Sequence, residues 1–142
     1  MKKTAVSLLV MFLFSCGVAK IKAPEQKDLY EVLTQQEYGG ASTRFFEILT
    51  EPDEIRMLQG DSELKNKINT EDIHNANFIV LNMGEKNTGG YSIGVESVVE
   101  TDKNLIITVK ETNPKPDSRV TMALTNPYCV VKLNSKKEII IK

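Results

Sequence analysis

With 142 residues, 18 basic against 19 acidic side chains and 1 histidine, the chain is of one-domain size and close to neutral. It can bury a modest core by itself. It carries no basic cluster to neutralise a phosphate backbone, and Lys136 with Lys137 reads as a solvated turn, so the composition argues against nucleic acid as a partner.

The first segment, MKKTAVSLLVMFLFSC, sets Lys2 and Lys3 before an apolar run from Ala5 to Phe14 and small Ser15 before Cys16. That order is a secretory signal over residues 1–15, and its apolar run is shorter than the ~18 to 20 residues of a spanning helix. LFSC resembles the bacterial lipobox, with Phe14 bulkier than the residue usual at that place. The resemblance implies that Cys16 is diacylated and becomes the mature N-terminus, anchoring the protein in the cell envelope, at the outer membrane or cell surface where there are two membranes. Removing the signal also removes Lys2 and Lys3, which brings the net charge to about −3. Cys129, the second of 2 cysteines, is then left without an intramolecular partner. In PYCVVKL it shares a strand face with Val131 and Leu133, the place of a buried thiol that acts as a small apolar residue.

From residue 16 to 27 the lipidated end continues as GVAKIKAPEQK, which lacks an apolar period and holds Pro24 among charges, as a flexible tether does. A single β-rich domain is expected over residues 28–142. It opens with a strand around Tyr30 to Gln35, a break at Gly39 and Gly40, and a strand around Arg44 to Thr50. TEPDEIRMLQG then predicts a helix of about two and a half turns, with Thr50 as N-cap, Pro52 in the first turn, Ile55 and Leu58 on one face and Gly60 beyond the end. Residues 62–77 are polar and weakly patterned and read as a loop with one helical turn near Thr70 to Asn75. His74, in that turn, has no second His or Cys nearby and is expected to be exposed.

The second half reads as β. Phe78 to Met83 is apolar on both faces, as a central strand is. YSIGVESVVE alternates with Tyr91, Ile93, Val95 and Val99 on one face, NLIITVKE repeats the pattern with Leu105, Ile107 and Val109, and TDKN between them predicts an antiparallel hairpin. NPKPDS is a proline-held loop. RVTMALT and NPYCVVKL read as two further strands, NSKKE as a turn and IIIK as the last strand. Six to eight short strands and one short helix without βαβ alternation predict a mainly β fold, an antiparallel β-sandwich or partial barrel.

No catalytic constellation is read. Serines occur without GxSxG, GGYSIG opens a strand and not a helix as a dinucleotide motif would, and zinc-ligand spacing is absent. No cofactor or metal is expected, and the chain is read as non-catalytic. GEKNTGGYSIGVESV sets two glycines at the mouth of a clear strand, where they form either a plain turn or a contact loop. In the contact reading, glycines allow close backbone approach and tyrosines give rigid amphipathic area.

The stretch from Phe78 to Leu133 resembles the C-terminal domain of the PrcB family. The resemblance is carried by Thr88, Gly89, Gly90, Tyr91 and Ile93, by Pro114 and Pro116, and by Thr125, Pro127 and Tyr128; Asp117 stands where a glycine is common. It implies a non-catalytic lipoprotein subunit that helps a secreted or surface protease complex assemble or stay stable. A protein partner is then expected to touch Thr88, Gly89, Gly90, Tyr91, Pro127 and Tyr128, with Thr88 and Gly89 at the loop tip and Gly90 at positive φ. Protease inhibitors of the chagasin type are similar in arrangement, pairing a Thr-Gly loop with a Pro-aromatic loop, so inhibition is the alternative. A structural envelope lipoprotein without a protease partner is the other.

Overall fold

The computed structural model describes residues 29–142. The signal, Cys16 and the tether lie outside them. Within the described residues seven strands and two short helices follow in the order β1 (Tyr30–Gln36), β2 (Phe45–Leu49), α1 (Pro52–Leu58), α2 (Asp72–Asn75), β3 (Asn77–Asn82), β4 (Ser92–Glu100), β5 (Asn104–Thr112), β6 (Tyr128–Leu133) and β7 (Glu138–Ile141). No helix among the described residues is long and apolar enough to cross a membrane.

The strands form two open sheets, one ordered β1-β6-β3-β2 and the other β4-β5-β7. β3 takes the interior place its two apolar faces predict. Ile79, Leu81 and Met83 join Ile93, Val98, Leu105, Ile107, Cys129, Val131 and Leu133 in a core shared by both sheets. On its opposite face Phe78 joins Val130 and Leu33 with Ile55, Leu64, Ile68 and Ile73 in a second core under the helices. Full burial of such a side chain contributes roughly 1.5–3 kcal/mol, and β3 and β6, which both place buried residues in both cores, are accordingly apolar over most of their length, with Asn77 and Asn82 at the two ends of β3.

The mainly β expectation with a short helix stands, but neither a closed sandwich nor a barrel forms, and the pairing is not wholly antiparallel. β7 runs parallel to β5, with Leu105 opposite Ile139 and Ile107 opposite Ile141. The reason is topological. β6 lies in the other sheet, so the chain crosses the molecule along β6 and re-enters at the end where β5 began.

Local chemistry accounts for four further corrections. Helix α1 is capped at Glu51 and not Thr50, because the Glu54 carboxylate reaches back to accept both the Thr50 and Glu51 N–H groups at 3.2 Å. A bulge between Val95 and Ser97 shifts β4 by one residue, so Val98 is 3% exposed and Val99 54%. One inserted residue reverses the facing of all that follow it. RVTMALT forms no strand and contributes only an isolated bridge from Thr125 to Lys86. The 62–77 region contains the expected turn as α2, with His74 exposed, but it also buries Leu64, Ile68 and Ile73, whose spacing is too sparse to read as a face.

Candidate partner-binding site

Three connections meet at one end of the molecule. The registers set Gln36 and Asn82 opposite Tyr128, Phe45 opposite Asn82, and Ser92 opposite Thr112. The β1–β2, β3–β4 and β5–β6 loops therefore share one pole. Gln35 ties the two sheets there, its Nε2 donating to the Ile93 carbonyl at 2.9 Å.

Backbone hydrogen bonds lock these loops to one another. Lys86 and Thr125 exchange N–H to carbonyl bonds at 2.8 and 2.9 Å, Gly89 donates to Thr121 at 2.9 Å, and Met83 donates to Pro127 at 2.9 Å. The first loop is drawn in as well, through Gly40 to Asn126 at 3.0 Å, Asn126 to Glu37 at 2.9 Å and Glu85 to Ser42 at 3.0 Å. Two buried side chains complete the lattice. Thr125 Oγ1 donates to the Thr88 carbonyl at 2.8 Å, and the Asn82 carboxamide bonds both the N–H and the carbonyl of Ala41 and also the carbonyl of Thr43. Loops held by this many main-chain bonds present a fixed surface, and little ordering remains to be done on binding.

The pole brings together all the residues expected to contact a partner, but it gives them unequal exposure. Gly90 is exposed and its φ is +86, the left-handed conformation expected for it. Thr88 is half-buried. Tyr91 is half-buried against the shared core with the Lys86 ammonium 5.6 Å from its ring centre, and Tyr128 is half-buried against the second core. Gly89 and Pro127 are buried, so neither offers surface of its own. Gly89 passes beneath Thr121, and the Pro127 carbonyl accepts from the Met83 N–H.

The surface that is exposed comes largely from residues the sequence reading did not select. Tyr38 is 51% exposed, Met122 87% and Leu124 58%. Tyr38 adjoins Gly39-Gly40, a pair whose close approach is a local requirement, since a Cβ on Gly40 would stand 2.2 Å from Asn82 Oδ1 and 2.6 Å from the Asn126 carbonyl. The likeness of YGG to GGY was the available signal. Met122 and Leu124 were hidden by their reading as a strand.

Among the described residues no group of three or more His, Cys, Asp or Glu is placed to hold a metal ion. No curated protein and no solved structure matches the chain. Residues 77–134 match the family model described as PrcB C-terminal. The match runs from β3 to the residue after β6 and takes in the β3–β4 and β5–β6 loops, so the part of the chain that builds most of the pole is similar to the PrcB C-terminal family.

Proposed function

We propose that the chain is a lipid-anchored, non-catalytic envelope protein that binds a secreted or surface protease complex through its loop pole and helps it assemble or stay stable. The observation that carries this reading is the coincidence of the PrcB-like segment with a rigid, partly apolar pole where Tyr38, Gly90, Met122 and Leu124 are exposed together. Exposed aromatic and aliphatic anchors on a fixed frame are what a protein interface requires. Thr88, Tyr91 and Tyr128 border this surface, and anchoring through Cys16 would hold it at the membrane.

Affinity capture from detergent extracts tests the reading, with the wild type beside a Tyr38→Ala, Leu124→Asp variant. A protease that co-purifies with the wild type and is lost with the variant, while the far-UV spectrum is retained, supports it. The same eluate from both sinks it and leaves a structural envelope lipoprotein. Loss of protease activity in the captured complex would instead identify an inhibitor.

A further inference from the structure

Residues 119–124 have the sequence of a strand without its pairing. Val120, Met122 and Leu124 fall in one phase and Arg119, Thr121 and Ala123 in the other. No backbone N–H from Arg119 to Leu124 donates a hydrogen bond among the described residues, and the Thr121 carbonyl accepts only from Gly89. Met122 and Leu124 are turned to solvent. Such a segment satisfies its backbone and its side chains together by joining a sheet edge.

An edge of that kind lies elsewhere on the same molecule. β2 pairs only with β3, which leaves its outer row of N–H and carbonyl groups open, and Phe45 and Ile48 on it are 36% and 37% exposed. Beside it a groove of about 170 Å³ is lined by Leu49, Met57, Leu58 and Val80 with Glu47 and Glu54 on its rim, and it has room for one methionine or leucine side chain. Charge agrees with this pairing. Exposed Glu47, Glu51 and Glu54 lie on and beside the edge, where Asp53 is paired with Arg56 and Arg44 with Glu111, whereas exposed Lys115 and Arg119 with Asp117 accompany the unpaired segment, which leaves a net acidic acceptor and a net basic donor.

We infer that residues 119–124 of one copy add as a strand to the β2 edge of a second copy of this chain, seating Met122 or Leu124 in the groove beside α1. Donor and acceptor are different surfaces, so the contact is head-to-tail and repeats along an open row. A single added strand is a small interface, and the association is correspondingly weak and reversible. The acceptor edge lies away from the pole, since Ile48 is toward the opposite end of β2, whereas the donor residues Met122 and Leu124 belong to the pole proposed to bind the protease, so the two contacts compete for them.

Cross-linking of the detergent-extracted full-length chain tests it. Two forms with tags of different size, one carrying Leu124→Cys and the other Glu47→Cys at the groove, are mixed and treated with a short bismaleimide. Both positions are exposed enough to leave the fold intact, and Cys129 is buried and slow to react. The expected result is a mixed-tag dimer several-fold above any dimer from either form alone, a ladder from a chain carrying both substitutions, and loss of the mixed dimer when Met122→Asp and Val120→Asp are added to the donor. No excess of mixed dimer overturns the proposal. So does a strong dimer from Leu124→Cys alone, which would be a symmetric contact, an adduct to a protein of another mass, or a mixed dimer indifferent to the added aspartates.

Discussion

Asn82 and Ala41 exchange two hydrogen bonds across the molecule, the Asn82 carboxamide accepting from the Ala41 N–H at 3.0 Å and donating to its carbonyl at 2.9 Å. Asn82 is fully buried at the end of β3. One side chain thus fixes the β1–β2 loop on the strand that leads into the β3–β4 loop. Asn82→Ala strands the Ala41 N–H and the carbonyls of Ala41 and Thr43, and it should destabilise by about 2–4 kcal/mol in urea melts. Asn82→Leu, similar in volume, should not recover the loss, because the stranded groups stay unpaired.

Gly90 should tolerate no β-branched side chain. Its φ of +86 is strained for any L-residue, and a Cβ would stand 3.0 Å from Pro114 Cβ and 3.1 Å from Val120 Cγ1. Gly90→Ala is expected to cost about 1–2 kcal/mol and Gly90→Val more. The β5–β6 loop should loosen with it, read as faster amide exchange at Ser118 and Thr121.

Burial pushes the Cys129 thiol up from its ordinary 9.0 to about 12. In the folded chain it stays protonated where the unfolded chain ionises, so its contribution is fully present below pH 9 and is lost as pH rises from 9 toward 12. Relative to Cys129→Ala, wild-type stability should fall with a slope of up to about 1.4 kcal/mol per pH unit in that window. Thiol labelling at pH 8 should be slow until denaturant is added; rapid native labelling would show that the thiol is accessible.

The proposed anchor has its own test. Cys16→Ser should leave an uncleaved or soluble form, and the intact mass of the wild-type protein should be that of a chain beginning at Cys16 with added acyl groups. A chain beginning there with no acyl mass would remove the anchor from the account.

Much of this architecture could be read from periodicity, and its errors have definite physical sources. β3, the β4–β5 hairpin, Cys129 and Gly90 were legible because each depends on local pattern: two apolar faces, alternation around a polar turn, strand phase, and a glycine before a β run. Val99 was misread because a bulge is one extra residue, which leaves no mark in composition. The parallel pairing of β7 was invisible because it depends on which sheet receives β6. Residues 119–124 were misread in the opposite sense, since they carry the alternation of a strand where the domain supplies no edge for them. At the pole, the motif residues come together as the sequence reading expects, but with unequal exposure. Gly89 and Pro127 are the buried supports, and Tyr38, Met122 and Leu124 are the surface they hold out.

The most direct measurement of the central claim is quantitative capture at the pole, with the partner protein identified by mass spectrometry and its yield compared between wild type and the Tyr38→Ala, Leu124→Asp variant. Both side chains are exposed, so the substitutions should shift stability by no more than about 0.5 kcal/mol each. The account predicts a secreted or surface protease as the main co-purifying protein and a loss of at least about tenfold in its yield with the variant, as expected when anchors each worth more than about 1 kcal/mol are removed. A protease recovered equally by both forms, or no protease recovered by the wild type, would contradict it.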